Sequence, residues 1–166
     1  MIQAIFKIAG KEHDYWNEDA VEKTVNYILR DSARRKDDLW GSMGTVNKSR
    51  EGIIEDLYKL KRLYDKKDKL QLKHLILSWG KRPNLPRKKM RKLIKRTLGF
   101  WSRDYQVVYA VHEDKLQNED HSYHMHMVLN SVSNTGRKIQ ITGKVQYKFR
   151  KHFNRIWNPY GYEMKM

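Results

Sequence analysis

The sequence predicts an α+β fold: a central antiparallel β-sheet of about five strands with flanking helices. Two strand-like runs, YQVVYAVHED and HSYHMHMVLNSV, are separated only by the polar stretch KLQNED, which is the pattern of a hairpin. Helical periods lie before and after this pair instead of alternating with every strand, so helices should pack on the faces of a sheet made by sequence neighbours. The 166 residues, 39% hydrophobic and 11% aromatic, suffice for one core and leave little room for a second. We expect a single domain over residues 1–166.

The first strand is IQAIFKIA. NEDAVEKTVNYILRDSARR reads as a helix, with Asn17 as its cap, Glu18 and Asp19 in the first turn and basic residues near its end. DLWGSMGTVN, with two glycines, reads as a loop. REGIIEDLYKLKRLYDKK is a second helix, with Ile53, Ile54, Leu57 and then Leu60, Lys61 and Tyr64 at helical spacing. LQLKHLILSW is a strand, ended by GKRPNLP. PRKKMRKLIKRTLGFW is a third helix with proline at its start and Met90, Leu93, Ile94, Leu98 and Trp101 as its apolar stripe. After the hairpin, SNTG is a turn, RKIQIT a short strand and VQYKFRKHFNRIW a last helix, stopped by NPYG.

Charge narrows the partners. Lys and Arg number 35 against 19 Asp and Glu, a net charge of +16, and apolar residues are spread along the whole chain. A folded domain with a basic surface binds polyanions, nucleic acid first and an anionic membrane face second. With no cysteine there is no disulfide, thiolate metal site or cysteine nucleophile, which fits a reducing cytoplasm. No apolar run approaches the roughly 20 residues that span a bilayer, and the N-terminal run is too short for a signal peptide.

The stretch HSYHMHMVLN carries the chemistry. Alternate strand residues share a face, so His124, His126, Val128 and Asn130 lie together. In the preceding strand, Val108, Ala110 and His112 share one face. Pairing of the two strands brings His112 towards His124 and His126, and three neutral imidazoles with other positions open make a catalytic metal site. His121 competes with His112 for the third place, since spacing leaves the register open. His13, His74 and His152 have no such neighbour and default to structural or surface roles. Among ten tyrosines, Tyr27 falls roughly opposite the centre of the buried stripe Val21, Val25, Ile28 and Leu29 at about 100° per residue. An aromatic that the core does not claim is available to a ligand.

These features together resemble the relaxases, or mobilization nucleases, of the HUH endonuclease superfamily, especially the P-type mobilization class. The resemblance runs in order along nearly the whole chain. It takes in NYILR around Tyr27, then H-x-x-x-S-[FW] at His74 to Trp79. H-x-D follows at His112 to Asp114, H-U-H-x-x-x-N at His124 to Asn130, and G-[RK]-K at Gly136 to Lys138. The spacer between Asp114 and His124 is longer than in many members. Many members also continue into further regions, so this chain reads as a short relaxase or as the catalytic part of a longer protein.

The resemblance implies a palm-like HUH sheet and a strand-specific nickase acting on single-stranded DNA at a transfer origin to start mobilization. Tyr27 would be the nucleophile, leaving a 5′-phosphotyrosyl strand and a free 3′-OH. His112, His124 and His126 would hold a divalent metal, which would draw charge from the phosphate. Asp114 would be a base or orient a histidine, and Ser78 would touch a phosphate. Asn130, on the same strand face as the histidines, either orients a ligand or pins the hairpin, the structural role being the preferred reading. The family's metal is Mn or Mg, while imidazole ligands also suit Zn, Ni or Co. Accessory relaxosome proteins and a type IV secretion coupling protein are the implied partners.

The basic surface has a local centre. Between Lys81 and Arg96 stand nine Lys and Arg, among them Arg82, Arg87, Lys88, Arg91, Lys92 and Lys95, mostly off the apolar stripe. We expect these, with Arg137 and Lys138, to contact phosphates. The last helix repeats the pattern, with Tyr147 as a candidate base-stacking ring. Two other readings share these features: a rolling-circle replication initiator with the same chemistry, and a non-catalytic nucleic-acid-binding module whose histidines are structural.

Overall fold

The computed structural model describes residues 1–30, 39–66, 69–115 and 121–166. In chain order these form β1 (Ile2–Gln3), β2 (Ile5–Ile8), a 3-10 turn (Glu12–Tyr15), α1 (Ala20–Ile28), β3 (Trp40–Met43) and α2 (Arg50–Leu63). Then come β4 (Leu72–Gly80), α3 (Arg87–Ser102), β5 (Val107–Lys115), β6 (His121–Asn130), α4 (Gly143–Trp157), a second 3-10 turn and β7 (Tyr162–Glu163). The main sheet has five strands in the order β2-β4-β6-β5-β3, all neighbours antiparallel. The α+β class and the five-stranded antiparallel sheet are as the sequence predicts. β1 and β7 pair in parallel beside it.

Alternation splits the central strands between two cores. Leu75, Leu77 and Trp79 of β4 and Met125, Met127 and Leu129 of β6 face α3 and α4, which supply Met90, Leu93, Ile94, Leu98, Trp101, Phe149, Phe153 and Trp157. The predicted stripe of α3 is the stripe observed. On the opposite face, Leu72, Val108, Ala110 and Val128 pack under Val21, Val25, Ile28 and Leu29 of α1 and Ile53 and Leu57 of α2. α1 and α2 cover one end of this face. The other end, with Ile76, Ser78 and the histidines, lies along a groove.

Four expectations about elements change. DLWGSMGTVN contributes β3, which pairs Trp40–Met43 with Ala110–Val107. At four residues it is too short and too rich in glycine to announce itself by alternation, as suits an edge strand. RKIQIT is not a strand. Both edges of β6 are already taken by β4 and β5, and this segment adds only the bridge between Val132 and Lys138. α1 is capped by Asp19 without a side-chain bond, Asn17 giving only its carbonyl to Ala20. The first-strand run is divided at Ala4 into β1 and β2. The predicted continuation of α1 past Arg30 lies outside the described residues.

The other helix starts follow their sequence signals. Ser49 accepts from Gly52 N at 3.1 Å and Thr142 from Val145 N at 3.3 Å, while Pro86 precedes α3. No helix among the described residues is long and apolar enough to cross a membrane.

Candidate metal and nucleophile site

The register of β5 and β6 sets His112 opposite His124, and His126 opposite Ala110. The three rings converge, with centroids 5.6 Å apart for His112–His124, 4.4 Å for His112–His126 and 4.9 Å for His124–His126. One nitrogen from each lies within 4.8 Å of the others. A tetrahedral ion about 2.1 Å from each nitrogen would set them roughly 3.4 Å apart, which lies inside that limit. His112 and His126 are buried and His124 is half-buried, on the side of the open groove. His121 pairs its backbone with Lys115, and Asp114 with Ser122. Their side chains lie outside the described residues.

Hydrogen bonds decide which nitrogen each ring offers. His112 Nε2 donates to Ile28 O at 2.7 Å, so the lone pair of the neutral ring sits on Nδ1. This bond also satisfies one of the carbonyls at the end of α1 that the helix leaves without an amide. Tyr27 O accepts from Arg30 Nη1 at 2.7 Å and Leu29 O from Arg50 Nη2 at 3.0 Å. The end of α1 is thus tied to the histidines by His112, to α2 by Arg50 and to itself by Arg30. His126 Nδ1 lies 2.8 Å from His74 Nε2, and His74 Nδ1 lies 3.3 Å from Tyr15 Oη. His126 therefore has Nε2 for a ligand.

Burial, with the neighbouring His112 next, lowers His74 to about 4 and drives His126 well below the ordinary histidine range. Both rings are neutral at physiological pH, the state that ligates a metal. The donor set suits a divalent ion: three imidazoles, two of them with their second nitrogen already bonded. This is the outer-shell support that fixes metal-binding rings.

Tyr27 sits edge-on above this cluster, its ring centroid 6.0 Å from that of His126 and 6.5 Å from that of His74. It is 49% exposed, matching its place off the buried stripe. The Arg30 guanidinium covers its other face, 4.0 Å from the centroid. Tyr15 is half-buried, and burial, then Asp14 and Tyr27, raises its phenol above the ordinary range. Ile5, Lys7, Ile76, Ser78, His124 and His126 line a groove of about 330 Å³ running from the cluster towards the β2 edge.

The remaining predicted residues are dispersed. Ser78 is the cross-strand partner of His124 and also accepts from Gly80 N at 3.2 Å. Arg82 reaches Glu113 at 3.4 Å. Arg87, Lys88, Arg91, Lys92 and Lys95 ride on α3, on the opposite side of the sheet from the histidines. Arg137 and Lys138 lie beyond the Asn130 end of β6, and Lys138 Nζ bonds Leu70 O at 3.2 Å. Gly136 has φ +86, and the Tyr64 ring stands 2.5 Å from where its Cβ would be, which explains the glycine.

Asn130 is a structural pin, as expected. It is fully buried and donates to Leu57 O at 3.0 Å and Gln106 Oε1 at 2.8 Å. It also accepts from the buried ammonium of Lys61, which reaches Gln71 O and Ser131 Oγ as well. Sequence reasoning left His74 between a structural and a surface role, placed Lys61 at helical spacing without its partners, and did not single out Tyr15. The H-x-x-x-S spacing was the one signal for His74.

Among comparisons with known proteins, the family model described as relaxase, MobA/VirD2-like, nuclease domain, matches residues 27–162. No curated protein matches the chain.

Proposed function

Since the chain belongs to the MobA/VirD2-like relaxases through their nuclease domain, whose role is DNA nicking in mobilization, we propose that it cleaves single-stranded DNA at a transfer origin by attack of Tyr27. The observation that carries this is the half-exposed Tyr27 ring standing over His126, a residue that also lines the open groove. Tyr15, the other phenol at the site, is half-buried and bonded to His74, so Tyr27 is the one a DNA strand can reach.

The step balances simply. The bond from Tyr27 Oη to phosphorus forms, the bond from phosphorus to the 3′ oxygen breaks, and the departing oxygen takes a proton as the phenol loses one. The product is a 5′-phosphotyrosyl strand that a later 3′-OH can reseal. A phenol titrates near ~10 in water, so attack needs a proton acceptor or nearby positive charge. Arg30, packed on the ring, holds it edge-on to the cluster. Asp114 is proposed as the base or as a further orienter of a histidine.

His112 Nδ1, His126 Nε2 and a ring nitrogen of His124 would hold a divalent ion, Mn or Mg by family and Zn, Ni or Co by ligand preference. When bound, it supplies Lewis-acid charge to a non-bridging phosphate oxygen. With Nε2 reserved for a ligand, His126 would carry its proton on Nδ1 and donate it to His74 Nε2. His74 then donates from Nδ1 to Tyr15 Oη. Tyr15 and His74 thereby act as positioning residues for His126. Lys7 and Ser78 line the groove, and their proposed role is to meet the phosphates that flank the scissile one.

The test is covalent capture. Incubation with an origin-like single-stranded oligonucleotide and Mn²⁺ should give an adduct on a denaturing gel, absent with EDTA and in Tyr27→Phe. An adduct that survives Tyr27→Phe but not Tyr15→Phe would transfer the nucleophile to Tyr15. No adduct in the parent protein across candidate origins would leave a binding module.

A further inference from the structure

α3 and α4 lie side by side on the face of the sheet away from the histidines. Their inward residues are apolar and buried. Their outward residues are cationic: Lys88, Lys89, Arg91, Lys92, Lys95 and Arg96 on α3, and Lys144, Lys148, Lys151 and Arg155 on α4, all exposed. Neither helix contains an aspartate or glutamate. The ion pairs Lys23–Asp19, Arg62–Glu55 and Arg82–Glu113 are elsewhere. A solvated helix face ordinarily mixes signs. This one concentrates a single sign across two neighbouring helices.

We propose that the solvent face of α3 and α4 is a second nucleic-acid surface that grips double-stranded DNA by its phosphate backbone, separate from the groove that takes the nicked strand. The sheet itself separates the two: Leu75, Leu77, Met125 and Met127 point to the α3–α4 side while His74, His124 and His126 point to the other. A nicking enzyme must hold a single strand at its tyrosine while flanking DNA remains duplex, and this face gives that duplex a seat.

The chemistry selects the partner. Single-strand surfaces interleave cations with exposed rings on which bases stack. Here the rings of Trp101, Phe149, Phe153 and Trp157 are buried, and among the described residues Tyr147 is the one large ring left exposed on these helices, with Lys151 beside it. Binding to an anionic membrane surface wants apolar side chains next to the charges, and those of α3 are spent on the core. What remains is a row of long cations on a rod of 16 residues, roughly 24 Å by helical rise. This suits backbone phosphates that carry position and no sequence information.

The experiment is fluorescence anisotropy with a labelled duplex of roughly 20 base pairs and unrelated sequence, in EDTA and in a Tyr27→Phe background, across about 50 to 200 mM salt. The variant Lys88→Gln/Arg91→Gln/Lys92→Gln/Lys95→Gln changes only exposed positions. A second variant, Lys148→Gln/Lys151→Gln/Arg155→Gln, probes α4, and thermal melts check both folds. Duplex affinity should fall at least tenfold in either, with the salt slope shrinking by about 0.9 for each phosphate that the protein no longer neutralises. Binding of a short single-stranded oligonucleotide should stay within twofold.

Unchanged duplex binding in both variants would overturn the proposal, as would an equal loss for the short single strand. Because neither the tyrosine nor a metal takes part, the duplex result stands or falls independently of the adduct assay.

Discussion

His74 is the residue on which the geometry of the candidate metal site turns. Its Nε2 lies 2.8 Å from His126 Nδ1, and Tyr15 backs it at 3.3 Å. Outer-shell partners of metal-bound histidines typically carry 10–100-fold in metal affinity. His74→Ala should therefore weaken Mn²⁺ binding by about that factor in a calorimetric titration, and Tyr15→Phe by less, with the fold intact by circular dichroism. Unaltered affinity in His74→Ala would make the contact with His126 incidental. The faces of His124, His126 and Tyr27 were legible in the sequence because alternation and helical phase assign them, whereas the choice between His112 and His121 waited on the β5–β6 register. His74 was not legible, because its partner sits 52 residues away and only the β4–β6 register joins them. Tyr15 lies on a 3-10 turn with no periodicity to place it.

At the level of elements, α2 is tied to the hairpin by an internal ammonium. Lys61 is 1% exposed, and burial, with Lys138 next, pushes it down to about 7. Its Nζ meets Gln71 O, Asn130 Oδ1 and Ser131 Oγ, and thus joins α2 to the start of β4 and the end of β6. Lys61→Met would keep the apolar stem and leave these oxygens without their donor, at about 1–3 kcal/mol for a buried group. A lower urea midpoint with an unchanged m-value is the expected result. A midpoint at or above that of the parent would show that relief of the buried charge outweighs the bonds. The helical phase of α2 put Lys61 in the buried stripe, so its position was legible although its partners were not. β3 was illegible for the opposite reason: four residues with a central glycine carry too little pattern, and its place depends on the free edge of β5.

For the whole molecule, site and stability are coupled through the uncovered end of the α1–α2 face. At neutral pH the folded and unfolded chains both hold neutral histidines there. As pH falls from the unfolded value near ~6.5 towards about 4, the unfolded chain takes up a proton that His74 in the folded chain refuses, and His126 acts in the same direction. Stability in the absence of metal is therefore full above that window and declines through it, by at most about 3 kcal/mol from His74. A metal held by the proposed triad would act oppositely, because only the assembled triad could bind it. At a hundred times its dissociation constant it adds about 2.7 kcal/mol, roughly 5–10 °C for a domain of this size. Melts at neutral pH should show a rise of that order on adding Mn²⁺, reversed by EDTA and missing in His126→Ala. Melts without metal should drop on acidification from about pH 6.5 towards 4. A Mn²⁺ shift preserved in His126→Ala would place the ion elsewhere. Metal-free stability that is flat through the acid window would mean that the rings are hydrated and free to take protons, contrary to their burial beneath α1.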